Sequence, residues 1–181
     1  MAFDVEQFRN NMLYDGARAN LFEVQMSFPA IVSNGFLAAN QIRFMANAAQ
    51  LPQSTIGVAR QSYFGREVKF PGDRIFPDWS INIINDENFG LRNAFEEWSN
   101  RINGHTTLQR DPAMLYSRGY SVNASVHQYG KLGGAPIKSY YFVGLFPVQV
   151  DPINVAWNQN DTIEEFGVTF SYQYWESNSA F

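Results

Sequence analysis

Period-two alternation of apolar and polar residues dominates this chain, and such alternation marks strands with one buried face. Phe22, Val24, Met26 and Phe28 alternate with Glu23, Gln25 and Ser27, and Trp79, Ile81 and Ile83 with Ser80 and Asn82. Tyr120, Val122, Ala124 and Val126 alternate with Ser121, Asn123, Ser125 and His127. The clearest run sets Phe166, Val168, Phe170, Tyr172 and Tyr174 against Gly167, Thr169, Ser171 and Gln173. Weaker strands are expected over 41–47 and 64–70. Segment 137–150 is apolar at both parities (Tyr141, Val143 and Leu145 against Tyr140, Phe142 and Phe146), and such a strand needs cover on both faces.

One helix interrupts the pattern. Between Glu87 and Ile102 the residues Leu91, Ala94, Phe95, Trp98 and Ile102 fall on a single helical stripe, which predicts a core-facing helix. Asn85 or Asp86 can cap its start, Gly104 sits where a glycine often ends a helix, and Glu97 and Arg101 are spaced for an i,i+4 pair. Val5, Phe8 and Met12 predict a shorter helix at about 4–12. Roughly eight strands with one long helix inserted between them read as a mainly β fold. Its expected form is two packed antiparallel sheets, a β-sandwich or partly open barrel, with one flanking α-helix. We find no internal repeat, low-complexity tract or linker, so residues 1–181 read as a single domain. About 1–16 would be an N-terminal arm or short helix, and 177–181 a C-terminal tail.

Composition sharpens this picture. A compact monomer of 20.6 kDa should expose about 8,900 Å². Thirteen Lys and Arg against 17 Asp and Glu give a net charge of −4, the wrong sign for a protein that holds nucleic acid by neutralising phosphates. The absence of cysteine excludes thiol catalysis, thiolate metal sites and a disulfide framework. Sixteen Phe, nine Tyr and four Trp in a chain that is only 17% charged exceed what one core of this size needs, which points to packed surfaces between subunits. The N-terminus lacks a basic region followed by an apolar stretch, and no run approaches the eighteen or so apolar residues of a spanning helix.

Catalytic chemistry fails on inventory. His105 lies in a Gly-His-Thr-Thr loop and His127 on a strand, neither with the partner spacing of a metal or acid–base site. Gly130-Lys131-Leu132-Gly133-Gly134 has the letters of a phosphate loop without its spacing and reads as a hairpin turn. Glu96 and Glu97 point about 100° apart on a helix and read as a solvated face. Asp73-Arg74 reads as a turn with a local ion pair, and Asp161 as a turn residue. No cofactor and no metal is implied.

Five blocks nevertheless occur in a recognisable order. They are Ala17-Arg18-Ala19-Asn20-Leu21-Phe22, Gly72-Asp73-Arg74-Ile75-Phe76-Pro77-Asp78-Trp79 and Asn85-Asp86-Glu87. The others are Gly144-Leu145-Phe146-Pro147 and the closing Phe166-Gly167-Val168-Thr169-Phe170 with Tyr174-Trp175-Glu176. Together, from about Gly16 to Glu176, they resemble the tail-tube proteins of contractile-tailed bacteriophages of the T-even type, with departures at 29–40, 103–118 and Ser177–Phe181. The resemblance implies two antiparallel sheets with a flanking helix, joined between neighbours into a hexameric ring barrel. Rings would stack into a tube inside a contractile sheath, and the genome would leave through its channel. Implied partners are further copies of the chain, the sheath, the baseplate and tail-terminator proteins, and transiently the tape-measure protein and DNA. The implied location is the virion tail, assembled in the host cytoplasm.

On this reading Gln50–Tyr63 is a long loop reaching the adjacent ring, with Leu51, Ile56 and Val58 as its contacts. Ser121, Asn123, Ser125 and His127 would line the channel, with Glu67 and Lys69 on a neighbouring strand. Leu91, Phe95, Trp98 and Ile102 would be the core stripe of the helix. Two alternatives are a tube initiator or terminator of the same fold, and a monomeric β-sandwich carbohydrate-binding module. Rings or tubes against a compact monomer at high concentration would separate the last from the others.

Overall fold

The computed structural model describes residues 4–12 and 16–178. The strands are β1 (Phe22–Met26), β2 (Ala46–Ala49), β3 (Thr55–Tyr63), β4 (Arg66–Ile75), β5 (Trp79–Ile84), β6 (Val122–Gln128), β7 (Lys138–Val150), β8 (Glu165–Ser171) and β9 (Tyr174–Ser177). The helices are α1 (Val5–Asn11), α2 (Gly35–Met45), α3 (Gly90–Ile102) and the single turn α4 (Ser117–Tyr120). Seven strands make the body in the order β1-β6-β7-β8-β5-β2, with β9 added on β7. All their pairings are antiparallel, which makes the body the expected two antiparallel sheets with helical cover.

The doubly apolar segment 137–150 is β7, which belongs to both sheets. Its first half pairs with β6 and β9, and its second half with β8. Gly144 sits at the join with φ +70°, a left-handed conformation that side chains rarely adopt, and a Cβ there would come 2.8 Å from Gln173 Cγ. Because the strand turns at this point, Phe142 and Leu145 are both buried although their parities differ. The last alternating run also divides. β8 ends at Ser171, Tyr172 is still buried, and the chain restarts as β9 with Tyr174 exposed rather than inside.

The core forms where the two sheets and the helices meet. Trp79 stacks on Phe142 with ring centroids 4.3 Å apart, and Phe95 of α3 meets Phe170 of β8 edge-on at 5.8 Å. In α3 the predicted stripe holds: Leu91, Ala94, Phe95 and Trp98 are buried, and Ile102 is half-buried against them. Its ends differ from expectation. The helix starts at Gly90 after Phe89 in a left-handed conformation (φ +54°), with the Asp86 carboxylate accepting the Gly90 N–H at 2.9 Å. It stops at extended Asn103, and Gly104 stays out of the left-handed region, its N–H donating instead to Gln109 O at 3.0 Å. Glu97 and Arg101 pair as expected at 3.2 Å, and Glu96 pairs with Arg92 at 2.7 Å.

The expected strand over 41–47 is a correction. Most of it belongs to α2, and only its last two residues enter β2. Ala38 and Ile42, four apart, are buried, while Phe36, Leu37 and Phe44 on the same helix are exposed, which hides the helical period from the sequence. The body therefore carries two flanking helices of substantial length where one was expected. α1 matches the short helix at 4–12, with Asp4 accepting the Glu6 N–H at 3.0 Å, and buries none of its residues.

Glu23 of β1 ties three elements together, accepting hydrogen bonds from Tyr129 Oη at 2.7 Å, Gln25 Nε2 at 2.9 Å and the Arg43 guanidinium of α2. Partial burial pushes its carboxyl up, but these hydrogen bonds and the Arg43 charge outweigh it and hold the group below its ordinary value of 4.5. A folded pKa that is depressed means that the stability Glu23 supplies is fully present above its unfolded value. That stability is lost as pH falls through the lowered one. Urea midpoints of the parent should therefore fall on acidification from pH 6 toward pH 3, and those of Glu23→Gln should fall less. Parallel losses in the two proteins would refute this linkage.

Candidate assembly surface

Among the described residues β3 and β4 pair with each other and with no other strand, so residues 55–75 form an arm outside the body. The expected loop Gln50–Tyr63 is thus corrected: 50–54 is irregular, and the rest is the first strand of this arm. The weak strand predicted at 64–70 is the core of the second, and Asp73-Arg74 lies in β4 beside a bulge, with Arg74 donating to Ser54 Oγ at 2.8 Å rather than pairing with Asp73. At the bulge Gly57 and Gly72 pack backbone to backbone, where a Cβ on Gly72 would come 3.1 Å from Gly57 C. Phe64 and Gly65 make a two-residue turn with φ +45° and +76°. Asn-Gly is the ordinary choice for such a turn. Here an aromatic ring, 91% exposed, is held in a left-handed conformation and meets the Tyr63 ring edge-on, with centroids 4.6 Å apart.

Directly paired residues share a face of the ribbon. One face carries Ala59 with Phe70, Gln61 with Val68 and Tyr63 with Arg66. The other carries Ile56 with Arg74 and Val58 with Pro71 near the base, then Arg60 with Lys69 and Ser62 with Glu67 toward the tip. The first face is mainly apolar along its length. The second is mixed at the base and charged outward, with Arg60 and Glu67 paired at 3.2 Å.

The base of the arm is pinned by two indoles, one that the sequence reading placed in a strand and one that it named only within a block of the resemblance. Trp79 Nε1 donates to Gln50 O at 2.7 Å, and Trp175 Nε1 to Gln53 O at 3.2 Å. Leu51 lies exposed between these anchors. At the two ends of the body, β1 and β2 each have a partner strand on one side only. An open strand edge invites pairing with another chain. The accessible surface is 13,048 Å², far above the ~8,900 Å² of a compact monomer of this mass.

The proposed channel row is only partly a row in the protomer. Asn123 is exposed and Ser125 half-buried on β6, but His127 is buried. Its ring lies 2.9 Å from Ser125 Oγ and 2.8 Å from Ser139 Oγ. Ser121 and Tyr120 precede the strand; Ser121 Oγ donates to Ser117 O of α4 at 2.6 Å. Glu67 and Lys69 are on the arm and not beside β6, whose neighbours are β1 and β7. An open groove of about 410 Å³ runs past Gln25, Arg43, Asn123, Ser125 and Tyr141. Nothing in it converges as a reacting constellation, and among the described residues no group of His, Asp and Glu could hold a metal ion.

Residues 17–178 match a family model described as phage tail tube protein. The chain is similar to tail tube protein gp19 of Enterobacteria phage T4, 29% identical over 164 residues that cover 90% of this chain and 92% of that protein. It is also similar to the tail tube protein of Serratia phage KSP90, 34% identical over 105 residues covering 55% of this chain and 57% of that one. Among solved structures, a chain of the anti-feeding prophage tube-terminating cap superposes with a TM-score of 0.65 at 14% identity, over 99% of this chain and 100% of its own. A chain from the sheath/tube terminator of an extracellular contractile injection system does so with a TM-score of 0.61 at 11% identity, over 91% and 97%. These two likenesses are of fold.

Proposed function

This chain belongs to the phage tail tube protein family, and we propose that as a tail tube subunit it closes into hexameric rings that stack into the channel for genome delivery inside a contractile sheath. The family is structural, and the chain is not an enzyme. The observation that carries the reading is the β3–β4 arm, which is built and anchored by the body yet pairs with nothing in it. The open edges of β1 and β2 support ring closure, since joining one subunit's edge to the next removes both. Leu51, Ile56 and Val58, all exposed, are the contacts we assign to the neighbouring ring, where burial contributes about 25 cal/mol per Å². Sheath and baseplate proteins would meet the outside and end of the tube.

Negative-stain microscopy and light scattering of the concentrated protein test this. Rings and tubes are expected; a monomer at every concentration overturns it. Rings that never stack would favour the tube initiator or terminator.

Asn123 and Ser125 are the best-placed members of the channel wall we propose. Ser125→Arg would add about six positive charges per ring. Each phosphate contact carries a log–log salt slope near −0.9. Variant phage should build normal tubes but eject DNA more slowly at low salt, with the rate recovering as salt is raised. Equal ejection rates at low salt would mean that this strand face does not meet DNA.

A further inference from the structure

We propose that the outer half of the β3–β4 arm docks on the β7–β8 loop and the first residue of β8, residues 151–165, of a second copy of this chain, through charge and apolar contact together. The inference rests on the tube-subunit reading and names the receiving surface for its arm. Its first ground is the distribution of charge. Beyond Lys138 the chain has no Lys or Arg but five acids, Asp151, Asp161, Glu164, Glu165 and Glu176, whereas the first 138 residues carry a net +1. Asp161, Glu164 and Glu165 enter no ion pair among the described residues.

The arm has the opposite character. Arg60, Arg66, Lys69 and Arg74 stand against Glu67 and Asp73, a net +2 on an acidic chain. Arg60 is paired with Glu67, while Arg66 and Lys69 enter no ion pair among the described residues. Both signs lie on one sequence, so the surface is complementary to itself in a head-to-tail sense, the arrangement that builds rings and filaments.

Apolar groups coincide with each patch. The loop exposes Val155, Ile163 and Trp157, the last completely at 101% of its reference surface. The arm presents Val68, Phe70 and Tyr63 on one face and Phe64 at its strained tip. A guanidinium such as that of Arg66 finds its best aromatic partner in an indole face. Nine residues of β3 span about 30 Å, enough for the tip to stand clear of its own body. A bulky residue in a left-handed turn costs the free subunit stability. Cover from a partner offsets that cost.

Charge reversal with rescue tests the pairing. Three proteins are compared with the parent: Arg66→Glu/Lys69→Glu, Asp161→Lys/Glu165→Lys, and the combination of all four substitutions. Circular dichroism melts report folding, and sedimentation with microscopy reports rings and tubes. Each double variant should melt like the parent yet assemble at least about tenfold less, a loss of about 1.4 kcal/mol in effective affinity. The quadruple variant should recover most of the parent's assembly. Independently of these substitutions, the emission of Trp157, read as the difference between parent and Trp157→Phe, should shift to the blue when the parent assembles. A parent that assembles while both double variants match it, or while Trp157 emission stays that of an exposed indole, overturns the docking alone. A quadruple variant as defective as the doubles does the same. A parent that forms neither rings nor tubes overturns the tube-subunit reading, and the docking falls with it.

Discussion

Replacing Trp98 by alanine is expected to remove about 3–5 kcal/mol of stability, a large share of the 5–15 kcal/mol that holds a typical domain folded. The indole is fully buried, with Phe28 edge-on at 5.6 Å and Phe95 stacked at 6.4 Å. Its Nε1–H donates to Tyr120 O at 2.9 Å, tying α3 to the turn that leads into β6. Alanine leaves both a cavity among aromatic rings and a carbonyl without its donor, and the two losses add. Trp157→Ala, at a fully exposed indole, is the matched control and should change the unfolding free energy from urea melts by no more than about 0.5 kcal/mol. A Trp98→Ala protein as stable as the parent would mean that α3 does not pack on the sheets as described.

The second large effect separates stability from assembly. Joining Gly57 to Gly72 through Asn-Gly, in place of Val58–Pro71, removes the outer arm at the point where its bulge already bends the ribbon. Because β3 and β4 pair with no body strand, the shortened chain should melt within a few degrees of the parent. It should nevertheless form no tubes. An isolated two-stranded ribbon is marginal in water. The amides of Ala59–Phe70 should therefore exchange rapidly in the free subunit of the parent and become protected in tubes. A shortened chain that still assembles would remove the arm from the contact between subunits, and one that fails to fold would mean that the arm supports the body.

The sequence revealed those parts of the structure where one physical demand acts alone. The runs at Phe22–Met26 and Trp79–Ile83 each have a single buried face, and their period is visible. The α3 stripe is visible for the same reason. Legibility fails where a second demand is superimposed. Phe36, Leu37 and Phe44 make α2 apolar outside as well as inside, and turn its period into noise. The arm has no inside at all: Tyr63, Phe64, Val68 and Phe70 are exposed in the protomer, so its residues read as loop and weak strand. His127 occupies a polar position in the alternation yet is buried between two serines, because hydrogen bonds can satisfy a polar ring inside. The indole anchors at the base of the arm were beyond sequence reasoning, since each donates to a backbone carbonyl with no signature of its own.

The order of strands in the sheets sets a timetable. As the chain leaves the ribosome, β2 can find β5 and β3 can find β4, but β1 must wait for β6, and β5 has no partner on its other side until β8 is made. Strand β7, shared by both sheets, also completes its pairing only with β8 and β9. At about 5–20 residues per second, the arm is exposed for several seconds before its body closes. On a message translated by many ribosomes at once, sticky arms of unfinished neighbours would lie side by side. The acidic loop that we assign as their receptor follows the arm by some eighty residues, so nascent arms outnumber receptors until that loop too is made. On that assignment, synthesis order would hold back polymerisation until the receptor as well as the arm has been made.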